Sequence, residues 1–204
     1  MLDPIHQFKM FLSKYGYTES DLDQLVSMCE VVEFKKGDIA IKAGVKQHQI
    51  FFICKGIVRN YIFTNDGQVK TNGFRMENMT STGYSNYNYA EDLKAKTSVE
   101  CLEDCIMIKI PFNAIQYMVH NCANSEKVGR LIAEHHVMEL VDILIDMETK
   151  SLLERYYNLD KKFPNILQRV PQHIIASFLG TTPVHLSRIK NAKTGPLTFV
   201  NKFE

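Results

Sequence analysis

The chain has 204 residues, 45% of them hydrophobic and 23% charged, which is enough for one large domain or two small ones and excludes a disordered chain. No apolar run approaches the roughly 18 residues of a membrane span. The N-terminal MLDPIHQFKMFLSKYGY lacks the basic head and apolar stretch of a secretory signal, so a soluble cytoplasmic protein is expected. The formal net charge of +1 is unevenly spread: from Ser151 onward Arg155, Lys161, Lys162, Arg169, Arg188, Lys190, Lys193 and Lys202 face only Glu154, Asp160 and Glu204. A basic end on a slightly acidic body is what phosphate attraction requires, although clustered surface lysines produce the same count.

In chain order, the stretch to about Glu30 reads as helical. Phe8, Phe11, Leu12 and Tyr15 recur at helical intervals, as do Leu22, Leu25 and Val26, with Ser20 or Asp21 as the cap. From Val31 to about Pro111, short runs rich in Val, Ile, Phe and Tyr alternate with Gly-containing turns. The runs are Val31–Phe34, Ile50–Cys54, Ile57–Phe63, Val99–Leu102 and Cys105–Ile110, and Asn65-Asp66-Gly67 is a hairpin turn. In the last run Ile106, Ile108 and Ile110 share one face, Met107 and Lys109 the other. This spacing predicts an antiparallel roll, sandwich or barrel. Thr80–Asp92, polar with Tyr84, Tyr87 and Tyr89 interleaved, reads as a loop or short helical insert across it.

From Ser125 the period turns helical. One stripe runs Val128, Leu131, His135, Met138, Asp142, Ile145, and another Val137, Leu140, Val141, Leu144, Met147. Two stripes imply packing on two sides, the chain's own roll on one and a partner helix on the other; a helix buried within one subunit is the alternative. A new domain begins near Leu152, with a helix that Phe163-Pro164 ends.

Residues 169–191 read RVPQHIIASFLGTTPVHLSRIKN. Pro171 opens a helix with Ile175, Ala176 and Leu179 on one face, and Gly180 stops it in a left-handed conformation. Thr182 then caps a second helix with Pro183 in its first turn and Leu186 and Ile189 facing back. This is the pattern of a helix-turn-helix, whose second helix enters the major groove of DNA. Its outward residues are Thr182, Pro183, Val184, His185, Ser187, Arg188 and Lys190. Arg188 suits a bidentate contact with guanine O6 and N7, or else clamps a phosphate without reading a base. Thr182 and Ser187 suit phosphate oxygens. Thr194–Phe203 is too short to be more than an abbreviated wing.

Other chemistry is poorly represented. The five cysteines, Cys29, Cys54, Cys101, Cys105 and Cys122, are odd in number and scattered, which reads as buried apolar side chains. His48 is the one histidine of the roll region, so a metal site is not expected. There is no P-loop, Gly-x-Ser-x-Gly elbow or His-Glu-x-x-His, no catalytic residue is assigned, and an enzyme is not expected.

The chain as a whole resembles the Crp/Fnr family of regulators. KGDIAIKAG (Lys36–Gly44) looks like the Gly-Asp turn of the cyclic-nucleotide-binding roll, and IFFICKGIVRNYIF (Ile50–Phe63) is similar to the family's strand, Gly turn, strand segment. VECLEDCIMIKIP (Val99–Pro111) resembles the strands before the dimerisation helix. Ser151–Asn191 is the most specific part and is similar to Bacteroidetes-like members. The resemblance implies an α+β chain in three parts. Residues 1–120 form a sensor β-roll (a double-stranded β-helix), residues 121–150 a dimerisation helix, and residues 151–204 a winged helix-turn-helix. It implies a homodimer through the helix around Val128–Met147, double-stranded DNA as partner, RNA polymerase as a further one, an unknown small-molecule effector and no membrane. The alternative is a ligand-binding sensor without DNA activity, its C-terminal helices contacting a protein.

The departures concern the ligand. Cyclic-nucleotide binders of this family hold the ribose with a Glu and the cyclic phosphate with an Arg. Here the opening of that cassette aligns with Phe74–Asn78 and the Arg position falls near Ala95, beside Lys94 and Lys96. Lysine lacks the bidentate fork. Arg75, Glu77 and Lys96 are therefore the candidate effector-pocket residues, and tight binding of cyclic AMP is not expected. Oxygen sensors of the family hold an iron–sulfur cluster on clustered N-terminal cysteines; with only Cys29 in the first 50 residues, no such cofactor is expected. On the recognition helix, Pro183 and Val184 stand where some members carry base-reading residues, and only the later Arg188 is kept.

Overall fold

The computed structural model describes residues 3–83 and 94–192. Two short helices open it. α1 (Pro4–Ser13) begins where the Asp3 carboxylate accepts the His6 amide at 2.9 Å, with Pro4 in the first turn. α2 (Glu19–Ser27) is fixed by a capping box in which Thr18 Oγ1 accepts the Asp21 amide and the Asp21 carboxylate accepts the Thr18 amide. The cap is therefore Thr18, not Ser20 or Asp21, because this reciprocal pair satisfies two amides at once.

Among the described residues eight strands follow: β1 (Glu30–Phe34), β2 (Ile39–Ile41), β3 (Gln49–Lys55), β4 (Val58–Phe63), β5 (Val69–Arg75), β6 (Thr80–Ser81), β7 (Ser98–Cys101) and β8 (Cys105–Pro111). They form two antiparallel four-stranded sheets, ordered β1-β8-β3-β6 and β2-β7-β4-β5. Residues alternate along β3 and β8 between two cores. Phe51, Ile53, Cys105 and Met107 pack with Ile41, Val58, Val99 and Cys101 from the second sheet. Phe52, Cys54, Ile108 and Ile110 pack with Phe8, Leu12, Leu22 and Leu25 of the first helices, and with Ala114 and Met118 of α3 (Phe112–Asn121). Burial on both faces is why β3 and β8 read as nearly unbroken apolar runs. The turn between β3 and β4 needs glycine, because a Cβ at Gly56 would come within 2.4 Å of Cys105 Sγ.

The helices that follow are α4 (Ser125–Thr149), α5 (Leu152–Lys162), α6 (Ile166–Arg169), α7 (Gln172–Phe178) and α8 (Pro183–Ala192). The α4–α5 break comes from a second capping box, in which Ser151 Oγ accepts the Glu154 amide and the Glu154 carboxylate accepts the Ser151 amide. The chain divides into two compact units, Met1–Glu139 and Leu140–Glu204. The core of the second is built from Leu153, Tyr156, Leu159, Phe163, Ile166, Val170, Ile174, Ile175, Ala176, Leu179 and Leu186.

Within the first unit, the face that α4 buries is neither of the two predicted stripes. Val128 and Glu139 are buried and Ile132 and His136 half-buried, at helical spacing. Of the first predicted stripe only Val128 is buried, and the second is exposed throughout. The buried seam was overlooked because its centre is polar. Glu139 meets Arg75 at the end of β5, 3.2 Å away, and His136 Nδ1 lies 3.1 Å from the same guanidinium. The tyrosine-rich segment from Tyr84 and the Thr194–Phe203 wing lie outside the described residues.

Candidate nucleic-acid interface

α7 is short and its end is closely specified. The Gly180 amide donates to Ser177 O at 3.2 Å and the Thr181 amide to Ala176 O at 2.9 Å, the two bonds of a Schellman motif with Gly180 at φ +70°. Nothing lies within 4 Å of a Cβ built on Gly180, so its requirement is conformational and not spatial. Thr181 supplies the second amide. Arg155 of α5 donates to Leu179 O at 3.2 Å, which satisfies another carbonyl at this helix end. That contact depends on how α5 crosses α7 and has no signature in the local sequence.

Two residues after Gly180 the chain restarts as α8. Thr182 Oγ1 accepts the His185 amide at 3.2 Å, and the Leu186 amide donates to Thr182 O at 3.0 Å. This is the predicted cap; the Thr182 hydroxyl still has its proton to donate outward. Leu186 and Ala176 are fully buried, Ile175 and Leu179 nearly so, and Ile189 is half-buried. Ile174, which the periodicity did not single out, is buried too.

The predicted outward residues separate into two sets. Thr182, Pro183, Val184, His185 and Arg188 are exposed along the first turns of α8, while Ser187 and Lys190 are half-buried. Lys190 lies with its ammonium 4.8 Å from the centroid of the Tyr156 ring, a cation–π contact that ties the end of α8 to α5. The exposed set combines a guanidinium, an imidazole, a hydroxyl and a branched apolar group along the first turns of one helix, a complement suited to base edges and phosphates.

Arg75, Glu77 and Lys96 lie in the first unit. Besides its contacts with α4, Arg75 donates to Phe74 O at 2.8 Å, and it is nearly buried. The Glu77 carboxylate accepts the Gly56 amide at 2.9 Å. Lys96 is exposed, its backbone amide donating to Gly83 O at 2.7 Å. Beside it is a buried polar network that the sequence reading missed. Asn60 of β4 donates to Thr82 O at 2.9 Å and to Thr97 Oγ1 at 3.0 Å, and Gln47 Oε1 accepts the Gly83 amide at 3.2 Å. The available signal was an Asn amid the apolar residues of a strand, since a buried amide needs partners.

The cysteines are unpaired. Burial pushes the Cys29 thiol up to about 12 and the Cys54 thiol up to about 11. Among the described residues no group of three or more His, Cys, Asp or Glu is placed to hold a metal ion, and no helix is long and apolar enough to cross a membrane.

No family model matches the sequence, and no curated protein matches it significantly. Solved structures do match over most of the chain. FixK2 from Bradyrhizobium japonicum superposes with a TM-score of 0.68 at 12% identity, over 81% of this chain and 85% of its own. A transcriptional regulator of the Crp/Fnr family from Eubacterium rectale gives 0.68 at 12% identity, over 90% of this chain and 86% of its own. The fold is that of the Crp/Fnr regulators. CLP of Xanthomonas campestris, described as a c-di-GMP-responsive global regulator, matches at 0.67 with 9% identity, over 87% of this chain and 92% of its own. Identities this low establish the Crp/Fnr fold alone, and the role of each residue rests on its chemistry in this chain.

Proposed function

We propose that the chain is a sequence-specific DNA-binding transcription regulator, acting as a homodimer on a palindromic operator, with its roll as the sensor of an effector. The observation that carries this reading is the α7–turn–α8 unit, a rigid pair of helices whose second member presents Arg188 beside Thr182, Pro183, Val184 and His185. Ser187 flanks them as a phosphate contact, and Lys190, its ammonium over the Tyr156 ring, lends positive charge to the same helix. The Crp/Fnr fold and the basic C-terminal quarter support it. RNA polymerase is a further partner if the regulator activates, and the cytoplasm is the location proposed for it; no catalytic activity is assigned.

Dimerisation through α4 is supported by its exposed apolar residues. Leu131, Val137, Met138, Leu140, Val141, Leu144, Ile145 and Met147 are each more than a third exposed in the single chain. A surface of that kind is buried by a partner in stable proteins. Two recognition helices on a two-fold axis then read half-sites roughly 34 Å apart.

We assign no tight binding of cyclic AMP. Arg75 is engaged with Glu139, Glu77 with the Gly56 amide, and the stretch from Lys94 to Thr97 offers lysines where a guanidinium fork is needed. Micromolar affinity in calorimetry would overturn that assignment. An effector that takes the Arg75 guanidinium competes with Glu139 for it, and one that takes the Glu77 carboxylate shares it with the Gly56 amide. CLP, with its c-di-GMP response, illustrates that regulators of this fold answer to more than one ligand.

Selection of bound sequences from a random DNA pool tests the central reading. The full-length protein is expected to enrich a two-fold symmetric site, and Arg188→Ala to lose about 1–3 kcal/mol at one base position with relaxed preference there. If the variant keeps the wild-type ratio between selected and random DNA, Arg188 is not a base reader.

A further inference from the structure

The role of Val184 is not explained by the fold. It is 69% exposed, more than any other large apolar side chain among the described residues. It occupies the second position of α8, in a first turn that favours acidic or small polar residues over a β-branched apolar one. Its sequence neighbours Pro183 and His185 are exposed as well, and so is Arg188, four residues on and on the same helical face. Resting on the DNA-binding reading above, we infer that Val184 is a specificity residue that selects thymine through its C5-methyl group.

The chemistry of the groove leaves few other roles for it. An isopropyl group makes no hydrogen bond to phosphate. The only apolar group on a major-groove base edge is the thymine methyl. Burial of that methyl against Val184 removes both from water. Cytosine at the same place has only a hydrogen at C5 and loses this contact, while its N4 donor and thymine's O4 acceptor are equally unmet by an isopropyl group. Val184 therefore favours thymine through the methyl contact.

Position and charge fit that partner. The N-terminal residues of a recognition helix are the ones that reach base edges. Val184 and Arg188 are one helical turn apart, about 6 Å along the axis, against a base-step rise of about 3.4 Å. The thymine read by Val184 is thus expected within about two base steps of the guanine read by Arg188. The basic residues of the C-terminal quarter supply the attraction to phosphate that an apolar contact cannot.

The test uses the operator selected by the full-length wild type, remade with uracil at each thymine in turn, since uracil lacks only the methyl group. One position per half-site is expected to lower wild-type affinity by about fourfold, the equivalent of one buried methyl. Val184→Ala should bind the thymine operator more weakly, be indifferent to that uracil, and keep the guanine preference of Arg188. Its fold is checked by circular dichroism. Wild-type affinity unchanged by uracil at every thymine overturns the assignment, as does a Val184→Ala variant that still distinguishes thymine from uracil. A wild type that enriches no sequence overturns the DNA-binding reading itself, and this inference with it.

Discussion

Gly180 and Arg188 are eight positions apart and contribute to recognition in different ways. Arg188 carries chemistry, while Gly180 carries geometry: its φ of +70° makes the turn that sends α8 across α7. Because the space around it is open, replacement by alanine meets no clash and costs only the left-handed backbone, about 1–2 kcal/mol. Gly180→Asn is expected to cost less, since Asn tolerates that region. Urea denaturation of the full chain checks both; equal losses would mean that the left-handed turn does not limit stability. Glycine at this position and proline at 183 were legible in the sequence, because both restrict or extend backbone freedom in ways that read locally. Asn60 was legible only as a polar residue amid the apolar ones of a strand; the network it makes is recognisable only once its partners at Thr82 and Thr97 are in place.

At the scale of elements, two of the ionic contacts within the first unit each make a prediction. In the turn between β7 and β8, Asp104 accepts the Lys36 amide and pairs with Lys35 Nζ, both at 3.0 Å. The Lys36 amide is the main cause, and Lys35 a second, of its carboxyl being held below the usual value. A depressed folded pKa means that the ionised form favours the folded state. The stabilisation is therefore present above the unfolded pKa of about 3.9 and lost as pH falls through the folded one. Asp104→Asn should be less stable than wild type at pH 7, with the difference shrinking in acid; denaturant midpoints at both pH values measure it. The second contact joins β5 to α4. Arg75 and Glu139 are each about one-tenth exposed, so Glu139→Gln removes a carboxylate from beside a nearly buried guanidinium. The expected loss is up to about 3–5 kcal/mol. Combining Arg75→Met with Glu139→Leu should recover most of it, since a buried pair is worth little over an apolar replacement. Failure of the double variant to recover would mean that the pair is needed for more than neutralising itself.

For the whole molecule, the exposed face of α4 has the most consequence. Leu144, at 62% exposure, makes no core of its own in the single chain. Leu144→Glu should leave the folded chain intact and convert a dimer to a monomer in sedimentation analysis. Operator affinity should fall with it, because the two half-sites then bind separately. A wild type that is monomeric at working concentration would overturn the dimer reading.

The sequence by itself determined the order of the parts: apolar runs at period two for the roll, period 3.6 for the helices, and a Gly–Thr–Pro grammar for the turn between α7 and α8. These are local properties, set by backbone sterics and the side-chain period, and they carry over directly into the strands and helices observed. It missed α3, and it assigned the wrong face of α4 to the roll. The reason is that burial follows packing and not hydrophobicity alone. His136 and Glu139 lie in the buried seam because Arg75 is there to meet them, while the more apolar stripes of the same helix are left exposed. Tertiary structure also decided which residues of the recognition helix are available. Lys190 reads from the sequence as equivalent to Arg188, yet its ammonium rests over Tyr156, because α5 crosses there. Arg188 stays exposed, with no such contact among the described residues, and with it Val184, the apolar side chain left in water.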